Sequence, residues 1–257
     1  MPSNKKLLQA AAGNAGESLY VEDVFSTYLY EGTGSAQTIT NGIDLDGEGG
    51  LVWLKGRGPT SGYSNIVVDT ARGRGAELQT NSSTSTISVP AGNGVSAFNA
   101  NGFSLGSNWG GENAVGESYA SWTFRKAEKF FDVVTYTGNS TVGRTVAHNL
   151  GVAPAWMVIK CTNAARNWCT YHISLGNGYQ IILNNTAAKE STALWNYTTP
   201  TATEFTLGND ADVNGTGNSY VAYLFASDAG GFGDDGSESI IKCGSYDANL
   251  GEVVNLG

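Results

Sequence analysis

Charge is scarce in this chain. Only 14% of its 257 residues are Asp, Glu, Lys or Arg, against about 25% in ordinary soluble domains. The charge present leans acidic, at −9 net. A nucleic-acid binder carries a basic stripe. Here the basic residues fall into isolated pairs, Lys5 with Lys6 and Arg72 with Arg74, so nucleic acid is not expected as a partner. Cysteine is also sparse: Cys161, Cys169 and Cys243 are odd in number and form no CxxC pair. With only two histidines, His148 and His172, neither a zinc site nor a disulfide framework has the residues it needs. The three thiols read as reduced, small apolar side chains. No apolar run approaches the roughly 18 residues of a membrane-spanning helix, so no membrane insertion is expected. The apolar stretch at 7–12 is interrupted by Gln9 and is too short for a signal peptide. It reads as a brief helix with Ser3 or Asn4 as N-cap and Gly13 near the C-cap. Five prolines and no long polar tract argue against disorder.

Glycine fills part of the gap, with 35 copies, joined by Asn, Ser and Thr. Such a composition favours short strands linked by tight turns. An internal repeat sets the organisation. The stretch from Thr27 to Lys55 and that from Val133 to Lys160 both open on an alternating strand ending Tyr-x-Gly, Tyr30/Gly32 and Tyr136/Gly138. Both close on an apolar strand ending in lysine, LVWLK and WMVIK. Further on, FSLG at 103–106 matches FTLG at 205–208, and ESYASWTF at 117–124 matches NSYVAYLF at 218–225. The expected division is an anchor segment at 1–25, one repeat at 26–128, a second at 129–228, a Gly/Asp-rich linker at 229–238, and the start of a truncated third repeat at 239–257. The last of these rests on Tyr246 and the final NLG, which mirror Tyr136 and NLG at 149–151. Ser239 to Gly257 is therefore expected to extend away from the second core, as part of a longer natural protein.

Each repeat reads as all-β, a β-sandwich or jelly-roll-like unit of regularly spaced short strands. In SYVAYLFA, Tyr220, Ala222 and Leu224 share one face, and Val221, Tyr223 and Phe225 the other. Both faces are apolar, which marks a central strand covered on both sides.

Candidate chemistry is thin. There is no G-x-S-x-G, and Cys169 and His172 lie three apart, on opposite faces of a strand. The acids Asp44, Asp46, Glu48 and Glu112 lie in Gly-rich loops without distinctive spacing and read as solvated. GRGRGAE lacks the Lys-Ser/Thr of a phosphate loop, and no cofactor is expected. DADVNG, residues 210–215, offers Asp210, Asp212 and Asn214 as the first half of a calcium loop, but the closing acid is replaced by Val221; a plain Asp/Asn/Gly hairpin turn is the favoured reading. NNT at 184–186 has the N-glycosylation acceptor pattern. Trp109, Trp195 and Tyr197 lie among amides and hydroxyls, a setting in which flat aromatics stack on sugars. The same aromatics equally suit plugs for sandwich ends or subunit contacts.

The run FDVVTYTGN, HNLGVAPAWMVIK, FTLG and SYVAYLFA resembles a repeated β-domain of tailed-phage virion structural proteins, of the marine or cyanophage type, which includes tail-fibre proteins. The opening from Asn4 resembles the amino-terminal start of such proteins, so the likeness spans nearly the whole chain. It implies a non-enzymatic structural protein, the particle-attaching part of a tail fibre or tail-associated protein involved in host adsorption. It further implies a place in the virion, on the tail rather than the capsid surface, and a homo-oligomer, a trimer by preference. The implied partners are other virion proteins, such as tail adaptor, nozzle or portal-proximal ones, with host glycan met through distal parts outside this chain. The anchor segment then supplies the attachment candidates Leu7, Leu8, Tyr20, Val21, Val24 and Phe25. The alternatives are a capsid decoration or head-fibre protein and a carbohydrate-binding adhesin module. The first repeat departs from the pattern, with GIDLDGEGG in place of the HNLG-x-AP region.

Overall fold

The computed structural model of the chain describes residues 18–58 and 62–246. The expected helix at the start, and Leu7 and Leu8 with it, lie outside the described residues.

The fold is all-β and antiparallel. The first half supplies β1 (Phe25–Glu31), β2 (Gln37–Thr40), β3 (Gly50–Gly56), β4 (Ile66–Asp69), β5 (Ala76–Gln79), β6 (Ile87–Ser88), β7 (Val95–Asn99), β8 (Gly102–Leu105) and β9 (Ser118–Arg125). The second half supplies β10 (Phe131–Thr137), β11 (Arg144–Ala147), β12 (Trp156–Cys161), β13 (Trp168–His172), β14 (Tyr179–Ile182), β15 (Glu190–Ser191), β16 (Glu204–Leu207) and β17 (Ser219–Phe225). Two one-turn helices, α1 (Val21–Val24) and α2 (Ala211–Asn214), complete the elements. Neither is legible in the sequence, because a single turn has no periodicity to read. Among the described residues no helix is long and apolar enough to cross a membrane.

Each half builds one large sheet of six strands, in the orders β1-β9-β3-β4-β5-β6 and β10-β17-β12-β13-β14-β15. The two orders correspond strand for strand. A small sheet covers one face of each: β2-β8-β7 in the first half and β11-β16 in the second. Strand alternation then dictates the layers. From β17, Tyr220, Ala222 and Leu224 enter the sandwich core of the second half, while Val221, Tyr223 and Phe225 point the opposite way. From β3, Val52 and Leu54 enter the first sandwich core, and Leu51 and Trp53 point away. These outward faces meet in one shared apolar core that joins the two large sheets. Layers therefore run small sheet, large sheet, large sheet, small sheet.

The shared core corrects two readings of the sequence. Phe232 lies inside the stretch read as a linker, yet it is buried in the shared core. Beyond it, Ile240 and Ile241 pack against the cores. The N–H of Asp228 donates to the Ile241 carbonyl at 3.0 Å, and that of Cys243 donates to Ser227 Oγ at 2.9 Å. The segment from Ser239 to Cys243 thus folds back instead of leaving, because its isoleucines find apolar surface at the end of both sheets. Residues 247–257 lie outside the described ones. Cys161 and Cys169 are buried, Cys243 is half-buried, and all three are free thiols.

Candidate functional site

The seam between the large sheets gathers the unusual chemistry of the molecule. Aromatics dominate its apolar part. Phe124 of β9 meets Phe225 of β17 edge-on at 5.5 Å and Phe131 of β10 at 5.7 Å. Trp156 stacks on Phe225 at 4.6 Å. Such pairs contribute about 0.5–1.5 kcal/mol each beyond their burial.

A buried ion pair of the first half meets a tyrosine of the second across the same seam. Asp69, at the end of β4, accepts from the Arg72 backbone N–H at 2.9 Å and from Arg72 Nε at 2.7 Å. The Tyr223 hydroxyl, from β17, donates to Asp69 at 2.7 Å and accepts from Arg72 at 3.2 Å. Burial opposes the guanidinium's charge, but Tyr223 and Asp69 outweigh it and hold Arg72 above its ordinary pKa. Burial, helped by the Asp69 charge, pushes the Tyr223 phenol far up, so it stays protonated.

Further bonds tie the loop after β5 to the second half. Lys160 Nζ is buried and donates to Ser83 O at 3.0 Å and Arg166 O at 2.8 Å. Burial lowers its pKa to about 8. Trp168 Nε1 lies 3.0 Å from both Gln79 O and Ser82 O. Thr86 N–H donates to Thr162 O at 2.8 Å. Each of these donors has a partner, as buried polar groups generally do.

At one rim the seam opens into a groove of about 320 Å³. Trp53, Asn65, Thr80 and Asn81 line it from the first half, and Leu183, Asn184, Asn185 and Thr186 from the second. No ionisable side chain is among them. The sequence flagged NNT at 184–186 only as a glycosylation pattern. The Asn184 amide is in fact engaged: Oδ1 accepts from Trp168 N at 2.8 Å and Nδ2 donates to Asn167 Oδ1 at 3.1 Å. Trp53 went unsingled because it sits within an apolar strand.

The glycan candidates named from sequence do not come together. Trp195 is fully buried in the second sandwich core, and its Nε1 donates to Tyr179 O at 2.9 Å. At 0% exposure its indole is closed to a sugar. Trp109, 49% exposed, belongs to the first half, while Tyr197, 67% exposed, belongs to the second.

The calcium candidates fare no better. Asp210 caps α2, accepting from Asp212 N–H at 2.7 Å, so this stretch is a helical turn and not a hairpin. Asn214 is fully buried, and its amide is committed. Nδ2 donates to Thr141 O at 3.1 Å and Gly208 O at 2.7 Å, and Oδ1 accepts from Asn139 N at 3.0 Å and Arg144 at 3.3 Å.

That arrangement recurs in the first half. Asn113 Nδ2 donates to Ser35 O at 2.8 Å and Gly106 O at 2.7 Å, and Oδ1 accepts from Thr33 N at 2.9 Å and Gln37 at 2.7 Å. Beside each Asn, two tyrosines stack: Tyr30 on Tyr119 at 5.0 Å, and Tyr136 on Tyr220 at 5.1 Å. Gly32 and Gly138 pass so close that a Cβ would lie 2.0 Å and 2.1 Å from backbone oxygens of Ala114 and Gly215. Sequence reading found these glycines and tyrosines but missed Asn113 and read Asn214 only as a calcium candidate; the shared signal is N-x5-Y in both halves.

Of the described attachment candidates, Val24 is buried in the shared core. Phe25 packs on that core, its ring tilted against Phe124 at 4.9 Å. Tyr20 hydrogen-bonds Asp234 through its hydroxyl. Their apolar or polar groups are spent inside the chain, because α1 leads directly into β1. Only Val21 remains exposed. Glu112, read as solvated, is buried, with its oxygens accepting from Trp109 N at 3.0 Å and Gly110 N at 2.7 Å.

Fold and seam define a protein of two β-sandwich units joined back to back. The chain matches the DUF7483 family, a domain of unknown function, over residues 21–250, and belongs to that family. No curated protein and no solved structure matches the chain.

Proposed function

We propose that the chain is a non-enzymatic structural component of a tailed-phage particle, within the particle-attaching part of a tail fibre or tail-associated protein. The observation that carries this reading is the seam. Aromatic packing and cross-half hydrogen bonds, among them those of Tyr223 to the buried Asp69–Arg72 pair, make the two sandwiches one block. A rigid block of sparse charge suits a part that bears load and resists proteolysis. The sequence resemblance supplies the particle. The surface offered to partners is the open edge of the first large sheet, where β1 presents Tyr28 and Leu29, the latter 59% exposed. An exposed, unbulged edge strand invites pairing with another chain, and symmetric self-assembly is the general pattern.

Mass spectrometry and cryo-electron microscopy of purified particles test the proposal. Small copy numbers at the tail support it. Dense copies over the shell move the protein to the decoration role. Absence from particles, or degradation of polysaccharide by the purified chain, overturns it.

A further inference from the structure

The rim groove has the composition of a ligand site. Among its amides, Asn65 Oδ1 is buried and has no hydrogen-bond partner, and such a group costs free energy unless something bonds to it. Asn81 uses its Oδ1 to accept from Asn65 N–H at 3.0 Å, and Asn185 uses its Oδ1 to accept from Ala187 N–H at 2.9 Å. Their Nδ2 donors make no protein hydrogen bond among the described residues. One buried acceptor without a protein partner and two solvent-facing donors therefore belong to residues that line a single groove. Trp53 adds a flat apolar wall, held edge-on by Trp122 at 6.3 Å.

We infer that this groove binds a neutral carbohydrate. Each sugar hydroxyl both donates and accepts, and so does each carboxamide. The C–H face of a pyranose matches an indole face. The lining offers no counter-charge to an anionic or cationic ligand. At about 320 Å³ the groove falls at the small end of ligand sites, the size of one to a few sugar rings. Both halves contribute walls, so the site exists only because the seam is closed. The larger cleft across the seam, about 550 Å³, lacks this combination. It is lined by Arg72, whose guanidinium is committed to Asp69, and by Tyr136 and Tyr220, whose hydroxyls are bonded to Val213 O and Ala211 O. The inference does not depend on membership of a phage particle.

Titration of the full chain with methyl glycosides and linear trisaccharides of glucose, galactose, mannose and N-acetylglucosamine tests it, with sialyllactose and a heparin trisaccharide as charged probes. Side-chain amide signals of Asn65, Asn81 and Asn185 report the location. At least one neutral probe is expected to bind and to shift these signals. Trp53→Ala risks loosening the seam, so the informative variant is Asn81→Asp with Asn185→Asp. It retains both structural acceptors and removes both solvent-facing donors. It should melt as the native chain does and bind at least about tenfold more weakly, roughly 1.4 kcal/mol. The inference is overturned by silence from every neutral probe, by preference for the charged probes, or by undiminished binding to the double variant.

Discussion

The first half buries two carboxylates where the second buries an amide and a valine. Glu77 on β5 occupies the position of Gln180 on β14, each one residue before a β4 or β13 partner position, Leu78 paired with Val67 and Ile181 paired with Thr170. Glu112 precedes Asn113 as Val213 precedes Asn214. Gly94 completes the contrast. A Cβ there would lie 2.6 Å from Glu77 and 3.6 Å from Glu112, whereas the second half places Leu194 at the equivalent turn, where its carbonyl accepts from Gly208 as that of Gly94 accepts from Gly106. One hub of asparagine, tyrosines and glycine thus supports two interiors. The second is packed with the apolar side chains of Leu194, Trp195 and Val213. The first keeps a polar pocket whose ionisation depends on pH.

Breaking the link between the halves should produce the largest effect. Arg72→Met leaves Asp69 buried without its cation, which costs about 3–5 kcal/mol, read as a loss of denaturant stability for the whole chain. His172 holds the position in β13 that Asp69 holds in β4, each opposite the first apolar residue of the neighbouring strand. It is only half-buried, and His172→Ala should cost under about 1 kcal/mol.

The hub comes next. Asn113→Ala and Asn214→Ala each strip four side-chain hydrogen bonds and leave one carbonyl, Gly106 or Gly208, without its donor, and each should cost roughly 2–4 kcal/mol. Equal losses show that the hub bears the same load in both halves. A neutral Asn113→Ala would confine that role to the second half.

A smaller effect than that of the hub separates the two interiors. Burial, then the neighbouring Glu112, raises the Glu77 pKa from 4.5 to about 8. Between those values the folded chain holds a proton that the unfolded chain has released. Stability should therefore be fully present below about pH 4.5 and decline as pH rises to about 8. Glu77→Gln, which copies the second half, should flatten this slope and add roughly 1–3 kcal/mol at pH 8. An unchanged slope would place the proton elsewhere.

Much of the fold was legible because strands reveal faces. The two-sided apolar pattern of 220–225 declared a covered central strand, and the repeated Tyr-x-Gly and FxLG anchors aligned the halves. What covers a face is not written in its own strand, so the shared core stayed hidden. Phe232 looked like linker because glycines and aspartates surround it. Trp195 looked accessible for the same reason, since local polarity does not report what a loop packs on. The groove was invisible because Trp53 and Asn184 to Thr186 are distant in sequence and each has an ordinary local explanation. Only closure of the seam brings them together.

Differential scanning calorimetry of the full chain tests the seam most directly. If the seam joins the halves into one block, a single transition should appear, with calorimetric and van't Hoff enthalpies equal, and Arg72→Met should lower it as one. Two resolved transitions, with the Arg72 variant leaving both unmoved, would contradict the account.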